Sequence, residues 1–175
     1  GAAAYPKFVG GLSFSGDWKG IDLSFLFQAG LGRDVALTGV YSGGIMDNTQ
    51  MTKPFYHGGN SPKYLVENSW RGDNTNAEFP RLSIVQASSN NAYSSTFWYR
   101  SGDYLRLKNL QIGYTFPQKW MSRIGIDRLR IYFEGQNLWT VSELTKFNID
   151  PEQPGVSNGY YPQQRIFSFG VNLAF

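Results

Sequence analysis

The sequence predicts an all-β chain in the form of an antiparallel transmembrane β-barrel segment. Three observations predict it. Stretches of about ten residues alternate apolar and polar side chains, the period of a strand with one greasy and one wet face. Connections alternate between short turns and long stretches rich in Gly, Asn, Ser and Pro, so that all the short turns fall on one side. No run of about 18 apolar residues is present, so any spanning element has to be built from strands.

The first strand is expected over about 7–15, where Phe8, Gly10, Leu12 and Phe14 share a face and Lys7, Gly11, Ser13 and Ser15 the other, with Val9 an exception. Turn chemistry at Gly16–Gly20 leads to a second strand over about 20–30. There Ile21, Leu23, Phe25, Phe27 and Ala29 alternate against Asp22, Ser24 and Gln28, with Leu26 out of class. The pair forms a tight hairpin. Periodicity then disappears over about 31–96, a connection too long for an ordinary compact domain and read as a long loop.

A third strand is expected over about 97–116. Leu105 and Leu107 share one face with Arg106 and Lys108 on the other, after which Leu110, Ile112, Tyr114 and Phe116 form the apolar row. That one-residue slip marks a bulge near Lys108–Asn109, and Pro117, which has no N–H to donate, ends the strand. One or two helical turns fit 118–124 before Gly125. The fourth strand, about 127–141, sets Leu129, Ile131, Phe133, Gly135, Trp139 and Val141 against Arg128, Arg130, Tyr132, Glu134, Gln136 and Thr140. A second long loop over about 142–163 precedes a fifth strand over about 164–175, with Phe167, Phe169, Val171, Leu173 and Phe175 on its apolar face.

Open strand edges are not tolerated in hydrocarbon, and five strands cannot close a barrel, since the smallest single-chain barrels have about eight. The chain is therefore expected to be a piece of a larger barrel or one contributor to an oligomeric one. Composition narrows the chemistry further. With no cysteine there are no disulfides or thiolate sites, and with His57 the only histidine there is no His-based triad or multi-histidine metal site. A net charge of +3 spread along the chain gives no basic stripe for nucleic acid. The first residue, Gly1, is followed by no basic and apolar leader, so any export signal was removed or lies outside this sequence.

Several spaced motifs then carry a resemblance. Tyr104-Leu105-Arg106-Leu107-Lys108-Asn109-Leu110, continued by Gly113-Tyr114 and Pro117, resembles the C-terminal signature of the SusC/RagA-like TonB-dependent outer-membrane transporters. Upstream, Tyr5-Pro6-Lys7-Phe8 with Gly10-Gly11, Lys19 to Ser24, and Phe27-Gln28 are similar to the preceding hairpin of that family, and Trp70, Asn76-Ala77 and Pro80-Arg81 to a loop motif. Downstream, Gly135-Gln136-Asn137-Leu138, Asp150-Pro151-Glu152, Tyr161-Pro162 and Phe169 to Phe175 extend the likeness over nearly the whole chain. The resemblance implies the last five strands of a plugged barrel of about 22 strands, with the plug and N-terminal domains absent here. It further implies import of large nutrients, glycan oligomers or peptides, across the outer membrane of a Gram-negative bacterium. The implied partners are a SusD-like surface lipoprotein, TonB acting through the absent N-terminal part, outer-membrane lipid, and the barrel-assembly machinery, which would read Phe175. No cofactor is implied.

Candidate site residues follow from position. Arg106, Lys108, Arg128, Arg130 and Glu134 lie on predicted inward faces, where they touch plug or substrate or simply hydrate and pair with one another. Trp18, Tyr114, Trp120 and Trp139 stand near strand ends, the place of interfacial anchors. Loop aromatics Tyr41, Phe55, Tyr56, Trp70, Tyr160 and Tyr161 are the ligand or lid candidates. Asp73-Asn74-Thr75-Asn76 with Glu78 is rich in oxygen ligands but lacks the spacing of a calcium loop, so no metal is expected. Nor is catalysis, because nothing places Asp103 or Glu134 beside a second carboxylate. The competing reading is a soluble β-sandwich module that binds carbohydrate through its aromatics.

Overall fold

The computed structural model describes residues 3–37, 62–82, 95–154 and 163–175. It divides into two compact units, one of strands and one of loop segments.

The strand unit is a five-stranded antiparallel meander. Its strands are β1 (Phe8–Trp18), β2 (Ile21–Leu31), β5 (Tyr104–Thr115), β6 (Arg128–Ser142) and β7 (Ile166–Ala174), hydrogen-bonded in that order. β1 and β2 meet through a two-residue turn in which Lys19 (φ 49°) and Gly20 (φ 86°) are both left-handed. That is the twist a tight hairpin requires. Gly20 is also needed for space, because a Cβ there would stand 2.6 Å from the Thr115 carbonyl oxygen. β5 and β6 are joined by a short helix, α2 (Gln118–Met121), a 3-10 turn (Ser122–Ile124) and Gly125 at φ 74°. A left-handed glycine is the common end of a helical turn.

Register fixes which side chains share a face, because directly paired residues point the same way. One face is apolar across the whole sheet. Its rows run Trp18, Ile21, Tyr114, Ile131, Val171; then Gly16, Leu23, Ile112, Phe133, Phe169; then Phe14, Phe25, Leu110, Gly135, Phe167; then Leu12, Phe27, Leu107, Trp139. The opposite face carries Asp22, Ser24, Gln28, Arg106, Gln111, Arg130, Tyr132, Glu134, Gln136 and Thr140. The slip anticipated near Lys108 is present: β5 passes from Leu107 to Asn109 between consecutive partners. β6 answers with a larger step, from Gln136 to Trp139, around Asn137 at φ 52°. Asparagine is one of the few residues with a side chain that tolerates this region. Because of the bulge, Leu105 and Leu107 stay on the same apolar face as Leu110 and Ile112.

The loop unit corrects two expectations. Residues 31–96 and 142–163 are not simply loop, since their described parts pack around a core of their own. β3 (Asp34–Ala36) pairs with β4 (Tyr99–Ser101), beside the five-residue helix α1 (Lys63–Glu67) and 3-10 turns at Thr96–Trp98 and Glu143–Phe147. Leu37, Leu65 and Leu144 are wholly buried there, with Val35, Phe79, Trp98, Phe147 and Ile149 nearly so. Second, 97–116 is not one strand. The chain breaks at Gly102, whose N–H donates to the Arg33 carbonyl at 2.8 Å, and where a Cβ would stand 2.8 Å from the Val35 side chain.

Candidate functional site

On the polar face of the sheet, glycines on one strand make room for long side chains from the next. Gly113 lies between the partners of a close ion pair on this face. Arg130 Nε donates to Asp22 Oδ2 at 2.9 Å and Nη2 to Oδ1 at 2.5 Å, a bidentate bridge from β6 to β2 across the intervening β5. A Cβ on Gly113 would be 2.4 Å from that carboxylate and 2.5 Å from the guanidinium, so the bridge exists because position 113 is empty. The same guanidinium lies 4.8 Å from the centre of the Tyr132 ring, a cation over an aromatic face, and Tyr132 in turn lies over Gly170. Nearer the other end of the sheet, Tyr104 covers Gly30 and its hydroxyl accepts from Gln28 Nε2 at 3.1 Å. Arg106, 3% exposed, donates from Nε to Thr140 Oγ1 at 2.9 Å.

Of the predicted inward residues, Arg106, Arg128, Arg130 and Glu134 share this face by register. Glu134 accepts from Gln136 Nε2 at 3.2 Å. Lys108 is the bulge residue, passed over in the register of both neighbouring strands. The structure therefore brings Arg130 together with Asp22, which sequence reasoning passed over, and does not gather the other four around one point. In the register Gly113 pairs with Asp22 and with Tyr132, while Arg130 pairs with Thr115 and reaches Asp22 diagonally across the glycine. Phe175, one residue beyond β7, is 86% exposed. Of the aromatics expected to be anchors, Trp18 and Trp120 lie at the short-turn end, and Trp139 lies toward the long-loop end of the apolar face.

In the loop unit the chemistry centres on Glu78. It accepts hydrogen bonds from the Tyr64 hydroxyl (2.7 Å), from Arg100 Nη2 (3.2 Å) and from Lys146 Nζ (3.2 Å). Glu143 adds a second carboxylate, 3.8 Å from Arg100 Nε and from Lys146 Nζ. Burial works to raise the Glu78 carboxyl, but the hydrogen bonds from Tyr64 and Lys146, followed by those charges and Arg100, hold it below the ordinary value. Its hydrogen bond with Glu78, and then burial, push the Tyr64 hydroxyl up. Glu78 is thus committed to cations rather than to Asp73, which pairs with Arg71 at 3.3 Å. No group of three or more metal-ligating side chains occurs among the described residues. Trp70 is on the loop unit's surface, 42% exposed. Tyr41, Phe55, Tyr56, Tyr160, Tyr161 and His57 lie outside the described residues.

Known proteins resemble this arrangement in sequence and in shape. The chain is 28% identical over 183 residues to the TonB-dependent receptor P3 of Formosa agariphila, covering 97% of this chain and 16% of that protein. Against the TonB-dependent receptor SusC of Bacteroides thetaiotaomicron, identity is 30% over 105 residues, 58% of this chain and 10% of that one. A solved structure of the RagAB peptide importer in its closed-closed state superposes with a TM-score of 0.69 at 27% identity, covering 99% of this chain and 18% of that one. The chain resembles the SusC/RagA-like TonB-dependent receptors over nearly its whole length. No family model matches it. The chain spans about a sixth of the length of the receptor P3 that it matches, and its sheet has the two faces of a barrel wall. Its open edges, β1 and β7, are then the places where further strands of the barrel pair.

Proposed function

We propose that the chain is a five-stranded part of the barrel of an outer-membrane importer of large nutrients, glycan oligomers or peptides, in a Gram-negative bacterium. The observation that carries this reading is the two-sidedness of the sheet. Its apolar face is continuous over five strands and open, Phe169 reaching 83% exposure, while the reverse face holds a bidentate ion pair and hydrogen-bonded polar side chains. A wall of that kind has lipid on one side and a wet lumen on the other. Arg106, Arg128, Arg130 and Glu134 line the lumen, where they meet the plug or the passing substrate, with Lys108 at the bulge between them. Trp18, Trp120 and Trp139 stand at the headgroup levels.

The remaining parts follow from the likeness to SusC and the RagAB importer. A SusD-like lipoprotein closes over the extracellular mouth, and TonB engages another part of the receptor. The chain is not an enzyme; it holds a wall and a loop platform. Outer-membrane fractionation tests this reading, combined with uptake of labelled oligomers by cells with and without TonB. Heat-modifiable gel mobility and TonB-dependent uptake are expected. A water-soluble monomer in the native fraction would overturn it and favour the carbohydrate-binding sandwich.

A further inference from the structure

Trp70 is exposed, yet its backbone is tightly held. Its N–H donates to the Phe79 carbonyl at 2.9 Å and the Phe79 N–H to the Asn68 carbonyl at 2.9 Å, with Phe79 itself in the loop core. Next to it Arg71 and Asn74 exchange backbone hydrogen bonds at 3.2 and 3.0 Å. The buried Ser69 hydroxyl donates to the Leu65 carbonyl, tying the same segment to α1. An indole held outward on a fixed backbone is a preorganised stacking plane. Together with Arg71, Arg81, Val66, Ser69 and Leu82 it lines a cavity of about 450 Å³, within the size range of small-ligand sites. Gly72 completes the lining, and a Cβ there would meet nothing within 4 Å.

We propose that this cavity binds an acidic sugar unit of an imported glycan: the C–H face of the ring stacks on Trp70, and Arg71 and Arg81 hold its carboxylate or sulfate. The proposal rests on the import reading above and names its substrate class. Guanidinium groups pair with planar oxyanions through two parallel hydrogen bonds, which ammonium groups cannot match. An extended peptide fits less well, since strand addition needs free backbone groups, and the Trp70 N–H and both backbone groups of Phe79, Arg71 and Asn74 are already hydrogen-bonded within the loop unit. Asp73 now occupies Arg71 in an exposed pair at 3.3 Å. Such pairs are weak, so a sugar carboxylate displaces it readily.

The test is calorimetric titration of the full-length receptor in detergent with hexamers of equal length: uronic-acid, sulfated and neutral oligosaccharides, and an acidic hexapeptide. An acidic oligosaccharide is expected to bind most tightly, and less tightly as salt rises. W70A, R71A and R81A are each expected to weaken it about tenfold, the worth of one charge-assisted or stacking contact. Gly72→Leu fills the cavity without touching the loop core and is expected to abolish binding, whereas Asp73→Asn is expected to strengthen it. Binding that is equal for neutral and acidic sugars, preferential for the peptide, absent for every hexamer, or indifferent to these variants overturns the site. TonB-dependent uptake by the wild-type receptor is read in parallel. If uptake persists while the variants bind like wild type, the site fails and the import reading stands; if uptake is absent, the import reading fails.

Discussion

Gly113→Ala is the sharpest probe of the polar wall. The added methyl group would overlap Asp22 Oδ2 at 2.4 Å and Arg130 Nη2 at 2.5 Å, but both atoms end flexible side chains. They can swing away, so the cost is the lost ion pair rather than a backbone shift. Each hydrogen bond between ionised groups is worth about 1.5–3 kcal/mol net. With the Arg130 side chain 14% exposed and that of Asp22 32% exposed, water recovers part of the loss. About 2 kcal/mol remains, between the surface and buried limits for ion pairs. Urea unfolding of the full-length receptor from lipid vesicles, followed by gel mobility, measures it. The control is the same substitution in an Asp22→Asn, Arg130→Met background, where Ala at 113 is expected to be neutral or stabilising by up to about 1 kcal/mol, as Ala for Gly within a strand. A G113A cost that is absent with the pair present, or equally large with the pair removed, would refute the assignment of the glycine's role.

In the loop unit, Glu78 is held below its ordinary value of 4.5, so the unfolded chain takes up the proton first; the stabilisation is present above that pH and lost as pH falls through the folded value. Tyr64 is raised above 10.0, so its contribution is lost as pH climbs from there through its folded value. Hydrogen exchange in 62–82 is expected to accelerate at both limits, and Glu78→Gln to flatten the acid limb. Gly20→Ala combines a left-handed φ with a 2.6 Å approach to the Thr115 carbonyl; a loss of about 1–3 kcal/mol is expected in the same vesicle assay. Phe147→Ala removes a nearly buried ring from the loop core, where it packs edge-on against Tyr64 at 5.3 Å. It is expected to loosen that unit by about 3–5 kcal/mol in exchange measurements while leaving barrel mobility on gels unchanged.

The strands were legible because each repeats one decision many times. The alternation at 8–14, 21–29, 105–116 and 128–141 survives two or three exceptions, and even the bulge at Lys108 announces itself as an apolar row that changes parity. The loop core was illegible for the opposite reason. Leu37, Leu65, Phe79, Trp98, Leu144 and Phe147 come one or two at a time from short turns separated by many residues, so no window contains a period. The break at Gly102 was hidden because β4 and β5 are both extended and both alternate, and only pairing with β3 separates them. Asp22 was read as one more polar residue of a hairpin. Its role depends on Gly113, its direct partner on the next strand though distant in sequence, and on Arg130 one strand further. Residues in a wall acquire meaning from neighbours that only register supplies.

The bulge line has a practical consequence for anyone recombining such receptors. Between the same two rows, β2 advances one residue, β5 two and β6 three, so the three strands carry unequal lengths of chain through one seam. A crossover placed entirely on one side of that seam inherits a matched set. A crossover that brings β5 without its extra residue leaves every position beyond it inverted, so that Arg106 is presented to hydrocarbon and Leu105 and Leu107 to the wet side. An arginine on the lipid face costs about 2–4 kcal/mol at the midplane and about 0–1 kcal/mol near the interface, and Arg106, close to the start of β5, lies toward the cheaper end of that range. Loop grafts that carry their own stretch of wall therefore have to be cut with all three strands counted together.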